Sequence, residues 1–209
     1  MQPTPLCYIM GKYGSDKGHE YIQYSWHNYT LVYHKLFQDI QYSTKRVFEL
    51  GLGTNNVAIP SNMGKNGTPG ASLYGWAEFF PNAQIFGADI DRDILFQTKR
   101  IHTYYCDQTN PDSIQTMWSQ AGLEEPFDIM IEDGLHTFEA NVCFFENSIH
   151  KLKKGGYYMI EDIRMETIEQ WKNQLEQWKE KYAQYTYKLL TIPSQRNYID
   201  NTLLIIQYV

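Results

Sequence analysis

The chain has 209 residues, a formal charge of −6 and a pI near 5.5, with seventeen tyrosines and five tryptophans. That length suffices for one domain with a real core. With no basic run longer than Lys153-Lys154, no nucleic-acid partner is expected, because binding its phosphates takes a positive stripe.

No segment reaches the roughly 18 apolar residues of a membrane span, and Met1-Gln2-Pro3-Thr4-Pro5 lacks the charged and apolar regions of a signal peptide. Cys7, Cys106 and Cys143 form no CxxC pair, so the expected location is a reducing cytoplasmic one.

In chain order, residues 1–28 mix turn formers with aromatics: Tyr13-Gly14-Ser15-Asp16-Lys17-Gly18-His19, Tyr21, Tyr24 and Trp26. This reads as an arm over a site or as a wrap on the sheet. Tyr29, Val32, Leu36, Phe37 and Ile40 fall at helical spacing and predict an amphipathic helix ending near Gln41. Arg46 to Gly53 reads as a strand running into a glycine turn. The segment to Gly70 has no periodicity and is expected to be a mobile loop. A helix follows, with Ser72 as N-cap and Leu73, Trp76, Ala77 and Phe80 on one face, and Pro81-Asn82 stops it.

Gln84 to Asp91 is a second strand ending in acids, and Ile101 to Cys106 a third, ending at Asp107-Gln108. Asn110-Pro111-Asp112 supplies an N-cap, a proline at the first helical position and a first-turn acid, for a helix carrying Ile114, Met117 and Ala121. Phe127 to Ile131 is a fourth strand, followed by Glu132-Asp133-Gly134-Leu135-His136. The next helix has the stripe Phe138, Val142, Phe145, Ile149, Leu152, with Lys153-Lys154-Gly155-Gly156 as its basic last turn and glycine stop. A fifth strand from Tyr157 ends at Glu161-Asp162.

Ile168, Trp171, Leu175, Trp178 and Tyr182 then repeat at helical spacing. This stripe covers either the sheet or another subunit, so a homo-oligomer is one expectation. Tyr187–Ile192 and Thr202–Tyr208 form an antiparallel hairpin at the sheet edge. The β-α alternation predicts a doubly wound, Rossmann-like α/β sheet in a single domain over 1–209. Residues 1–45 would be its arm and helix, and 46–209 its core.

The strand ends carry the chemistry, because ligands of open α/β sheets bind there. Glu49-Leu50-Gly51-Leu52-Gly53 has Asn56 where a dinucleotide fingerprint has its third glycine, and no Lys-Ser/Thr. A diphosphate cofactor is therefore disfavoured, and S-adenosylmethionine, which needs close backbone approach without a phosphate cradle, suits the turn better. A tight turn with no ligand explains the same residues. Asp89 stands where a carboxylate grips ribose hydroxyls, and Asp107 where it accepts from an adenine amino group; each also serves as a cap or a loop acid.

Asp133, Glu161 and Asp162 are hard oxygen donors of the kind Mg²⁺ or Mn²⁺ takes. His136 follows in the turn where it faces the same crevice, and strand alternation turns Glu132 to the opposite face. A sugar hydroxyl ionises near the pKa of water, about 15.7, against about 6.5 for imidazole. That gap is on the order of 12 kcal/mol at about 1.36 kcal/mol per unit. A cation that lowers the hydroxyl pKa and a base that takes the loosened proton therefore belong together. The blander reading makes the acids helix caps and His136 a core histidine.

The chain resembles class I S-adenosylmethionine-dependent methyltransferases, specifically the metal-dependent macrocin and mycinamicin type of sugar O-methyltransferase. The resemblance rests on Gly14–Gly18, Phe48–Gly53, Gly70–Leu73, Phe86–Ile90, Asp107-Gln108, Glu132–His136, Gly155-Gly156, Ile160–Asp162 and Asn201–Ile206. It implies a seven-stranded sheet with the last strand antiparallel. It also implies Mg²⁺ on Asp133, Glu161 and Asp162, His136 as general base, and Glu49, Gly51, Asp89 and Asp107 on the methyl donor, with Gly53 and Gln108 beside them.

Two positions depart from the family, Glu132 for Asp and Leu135 for Ser, and these 209 residues are not expected to include the extra N-terminal domain of some members. The acceptor expected is a sugar hydroxyl of a secondary metabolite or a surface-glycan precursor, with the 54–70 loop and Tyr13, Tyr24, Trp26 and Tyr29 as a lid. Two alternatives stay open: methylation of an amine or phosphoramidate nitrogen, and a cofactor-binding protein without chemistry.

Overall fold

The computed structural model describes residues 2–19, 21–23 and 25–209. Seven strands form one sheet: β1 (Arg46–Leu50), β2 (Gln84–Asp89), β3 (Ile101–Tyr105), β4 (Phe127–Glu132), β5 (Leu152–Ile160), β6 (Tyr185–Thr191) and β7 (Thr202–Tyr208). Their order is β3-β2-β1-β4-β5-β7-β6. The first five pair in parallel, and β7 runs antiparallel between β5 and β6. This is the doubly wound sheet and C-terminal hairpin read from the sequence.

Because side chains alternate along a strand, each buried strand feeds two cores. Val47, Ile85, Ile129, Ile131, Met159, Leu203 and Ile205 face α1 (Pro5–Tyr13), α2 (Thr30–Phe37) and α3 (Ala71–Phe79) through Met10, Tyr33, Phe37 and Trp76. Phe48, Phe86, Met130, Tyr158, Leu204 and Ile206 face α4 (Pro111–Trp118), α5 (Phe138–Ser148) and α6 (Ile168–Lys181). The α6 stripe is buried within the chain: Trp171, Leu175 and Trp178 are 1 %, 7 % and 0 % exposed. Phe145 stacks on Trp178 at 3.9 Å. Trp178→Ala is expected to cost about 3–5 kcal/mol, measured by urea unfolding.

Local chemistry corrects four boundaries. Pro5–Tyr13 is helical, begun by a capping box from Thr4 and closed by Gly14 at φ +85°; turn residues on both sides disguised it. The N-cap of α3 is Gly70, and the Ser72 hydroxyl is turned to Glu49. Helix α4 ends at Trp118, so Ala121 lies beyond it. Lys153-Lys154-Gly155-Gly156 belongs to β5, not to a helix end. There the register against β4 shifts between Phe127 and Ile129, and the Gly156 position has no room for a Cβ, which would lie 2.7 Å from the Asp128 carbonyl oxygen.

At the start of β4, Asp128 accepts from the backbone N–H groups of Lys45 and Arg46 at 2.8 and 3.0 Å and from Lys153 at 2.7 Å. Burial alone would raise its pKa, but these donors outweigh burial and lower it. A depressed folded pKa contributes stability above the unfolded aspartate value, near 3.9, and that stability disappears as pH falls through the folded value. Asp128→Asn is expected to cost about 1–2 kcal/mol at pH 7 and progressively less as pH falls below the unfolded aspartate value, read from chemical unfolding across that range.

Candidate functional site

The strand order reverses between β1 and β4, and a cavity of about 630 Å³ opens at the carboxyl ends of the strands there, the switch-point position of open α/β folds. Its size lies within the usual range for small-ligand sites. Leu50, Gly51, Leu52, Gly53, Asp89, Asp107 and Gln108 line one end, and Asp133, His136, Asp162, Trp26, His27 and Asp200 the other.

At the first end, Gly51 has φ +89°, and a Cβ on it would lie 1.8 Å from the Asp133 carbonyl oxygen. Glycine is required because the turns after β1 and β4 touch, as the bond from Asp133 N–H to the Leu50 carbonyl at 2.9 Å also shows. Asp89 accepts from the Leu52 and Asp91 N–H groups at 2.7 and 2.8 Å, which fixes both carboxylate oxygens while each keeps a lone pair. In Asp107, Oδ1 accepts from Thr109. Gln108 donates to Glu132 at 3.0 Å and accepts from the Leu135 N–H at 2.6 Å. Glu132 is buried on the opposite face from Asp133, and burial pushes it up to about 8.

Glu49 is placed differently from the sequence expectation. It is fully buried, accepts from the Ser72 hydroxyl and the Trp76 indole N–H, and does not line the cavity. Strand alternation explains this: Leu50 faces one core, so Glu49 points into the other, under α3.

At the second end, His136 Nε2 is 3.1 Å from Asp133 Oδ1, and its Nδ1 is 3.3 Å from Asp162 Oδ2. Burial disfavours the charged imidazole, but the carboxylates of Asp162 and Asp133 outweigh it and push His136 up to about 10. The Tyr29 hydroxyl donates to Asp162 at 2.7 Å. The His136 and Asp162 backbones are left-handed, at φ +60° and +54°. Ser61, at φ +55°, donates to the Leu135 carbonyl at 2.9 Å. Among the described residues these are all the non-glycine residues with positive φ, and all three line this cavity. Such strain collects where a function holds it in place.

Of the three expected metal ligands, Asp133 and Asp162 flank His136, and one donor atom from each of the three residues lies within 4.8 Å of the others. Glu161 is turned away from that group. It accepts from the Tyr33 hydroxyl and from the Lys17 ammonium, both at 2.6 Å. Lys17 also binds Asp133 and lies 3.7 Å from Glu49.

A divalent cation fits this donor set. Four carboxylates, those of Glu49, Asp133, Glu161 and Asp162, converge on one ammonium, Lys17, and two imidazoles, His136 and His27, the latter 3.4 Å from Asp162. Burial raises Glu49, Glu161 and Asp162, whereas Lys17 and His136 lower Asp133; a cation on the oxygens would favour their charged forms. Hard oxygen donors in that state suit Mg²⁺ or Mn²⁺.

Sequence reasoning missed Lys17, Tyr33 and His27. The signal available for Lys17 was its place in Gly14–Gly18, a matched motif left without a role. Within the expected aromatic lid, Trp26 lines the cavity. Tyr13 instead stacks on Tyr74 at 5.8 Å and bonds Glu78. Tyr29 is buried beneath Asp162, and Tyr24 lies outside the described residues.

The sheet order, the antiparallel last strands and the switch-point cavity define the class I methyltransferase fold. No protein-family model matches the chain. Curated relatives are sugar O-methyltransferases of the macrocin and mycinamicin type. The 8-demethyl-8-(2-methoxy-alpha-L-rhamnosyl)-tetracenomycin-C 3'-O-methyltransferase of Streptomyces olivaceus is 30 % identical over 162 residues, 78 % of this chain and 37 % of that protein. The mycinamicin VI 2''-O-methyltransferase of Micromonospora griseorubida is 32 % identical over 137 residues, 66 % of this chain and 32 % of that protein.

The matched stretch thus covers only about a third of the length of these relatives. Among solved structures, the MycE methyltransferase of the mycinamycin pathway, in complex with Mg, SAH and mycinamycin VI, superposes with a TM-score of 0.71 at 22 % identity. The match covers 99 % of this chain and 55 % of that one.

Proposed function

We propose that residues 1–209 form one methyl-transfer unit. It moves the methyl group of S-adenosylmethionine to a hydroxyl of a sugar or sugar-like acceptor, with His136 as general base and Mg²⁺ or Mn²⁺ as auxiliary. The observation that carries this reading is His136, held in left-handed backbone between Asp133 and Asp162 in the lining of the cavity. The relatives, named for 3'-O- and 2''-O-methylation of glycosylated antibiotics, support a hydroxyl acceptor. A surface-glycan precursor offers the same chemistry.

Asp89 and Asp107 would hold the donor's ribose and adenine, with the Gly51–Gly53 turn against its backbone-facing side. The sulfonium methyl would then point toward the acid end. Asp133 and Asp162 would hold the cation, joined by Glu161 when that carboxylate gives up a present partner. A bound divalent cation lowers the pKa of a hydroxyl beside it and takes up the carboxylate charge that otherwise holds a proton on His136. In the displacement the acceptor O–C bond forms as the S–C bond breaks, and the hydroxyl proton passes to His136. Trp26, half exposed and lining the cavity, offers a face for the sugar ring.

A cofactor-binding protein without chemistry would have no need to keep His136 and Asp162 in strained backbone beside Asp133. A nitrogen acceptor has no feature of the site in its favour, and turnover that survives EDTA would favour it. The test is calorimetry with S-adenosylmethionine, followed by methyl transfer to a panel of deoxysugar glycosides with and without EDTA. Binding, with turnover that EDTA abolishes and Mg²⁺ restores, is expected. No donor binding at millimolar concentration sinks the reading.

A further inference from the structure

The proposed reaction gives no part to Lys17, the most thoroughly buried cation of the site. Its side chain is 2 % exposed, and its ammonium binds Asp133 and Glu161 with Glu49 at 3.7 Å. The desolvation of burial works against that charge, and Asp133, Glu161 and Glu49 outweigh it. The segment carrying Lys17 is fixed on both sides. The Lys17 carbonyl accepts from the Thr30 N–H at 3.1 Å, and the Asp16 carbonyl from the Trp26 and His27 N–H groups at 3.0 Å each. Gly18 lies so close to Ser25 that a Cβ on it would be 2.3 Å from the Ser25 hydroxyl. The ammonium is therefore delivered to the acids by a folded strap.

We propose that Lys17 is a built-in counter-ion that competes with a divalent cation for Asp133 and Glu161, and so sets how tightly the acid cluster takes a metal. This rests on the cation reading above. An ammonium has three N–H donors and no acceptor, so it satisfies carboxylate oxygens as a metal does, from the same side of the charge balance. Two positive centres sharing those oxygens in a buried site repel with little screening. Lysine suits this part better than arginine, being a compact point charge on a flexible stem. Without a metal, Lys17 keeps the acids from repelling one another. With a metal, it holds affinity down and keeps the cluster exchangeable.

The test is Mn²⁺ binding, followed by the electron paramagnetic resonance of free Mn²⁺, to the wild-type chain and to Lys17→Met. Lys17→Met is expected to bind Mn²⁺ at least about tenfold more tightly. Its thermal midpoint should fall below wild type without metal and rise further than wild type when Mn²⁺ is added. Equal or weaker binding by folded Lys17→Met, with wild type binding normally, overturns the competition and leaves the cation reading standing. Binding by neither overturns both.

Should Lys17→Met fail to fold, the wild-type chain labelled with ¹⁵N at lysine Nζ answers the question. Titration with Mg²⁺ should shift the Lys17 ammonium resonance in step with binding measured by calorimetry. A resonance unmoved at saturation rules the competition out.

Discussion

His136→Ala is expected to lower kcat by roughly 10²–10⁴-fold, the usual contribution of a positioned general base, which is about 3–5 kcal/mol of transition-state stabilisation. Affinity for S-adenosylmethionine should stay at the wild-type level, because His136 sits at the acid end of the cavity while Asp89 and Asp107 lie at the other. The two readouts separate two roles. A base removes a proton only in the transition state, so its loss appears in kcat. A histidine that merely kept Asp133 and Asp162 apart would, when removed, let both acids relax and disturb the turn after β4, on which Gly51 also rests. Calorimetry and single-turnover methyl transfer on the same preparation decide between them. Loss of donor affinity together with turnover would show His136 to be structural.

Gly51→Ala should be the most damaging small change in the chain. The added methyl would lie 1.8 Å from the Asp133 carbonyl oxygen, in backbone at φ +89°. Neither partner yields cheaply: Gly51 N–H is bonded to the Ala88 carbonyl at 2.8 Å, and Asp133 N–H to the Leu50 carbonyl at 2.9 Å. A cost of about 3–5 kcal/mol is expected from strain and clash together, with donor binding lost because the turn that faces it must open. Gly155→Ala is the control. Gly155 has φ +83° but nothing within 4 Å of a Cβ, so only the left-handed backbone penalty of about 1–2 kcal/mol applies. Urea unfolding of both variants separates contact from conformation, and similar costs for the two would refute the close approach between β1 and β4.

The sequence by itself determined the sheet. Apolar runs of strand length, several ending in acids and separated by helical stripes, admit few arrangements other than a doubly wound α/β fold. Val47 and Phe48 already require two cores, because adjacent strand residues face opposite sides. The acid ends of β2, β4 and β5 and the glycine turn after β1 were legible for the same reason, since a buried strand breaks its apolar pattern only where it leaves the core. Local signals failed where tertiary contacts outweighed them. Lys153-Lys154-Gly155-Gly156 has the composition of a helix end, yet it continues β5 because β4 offers its backbone as a partner.

What only the tertiary structure decided is how the acids share their counter-charges. Glu49 belongs to Ser72 and Trp76, residues more than twenty positions away. Glu161 belongs to Tyr33 and Lys17, Asp133 is shared between Lys17 and His136, and Asp162 turns to His136. No periodicity encodes such pairing, because it depends on which elements the fold brings over the strand ends. The N-terminal strap that carries Lys17 closes over them from more than a hundred residues away in sequence. A carboxylate in a one-dimensional pattern announces only that it is acidic; burial and the nearest cation determine what it does.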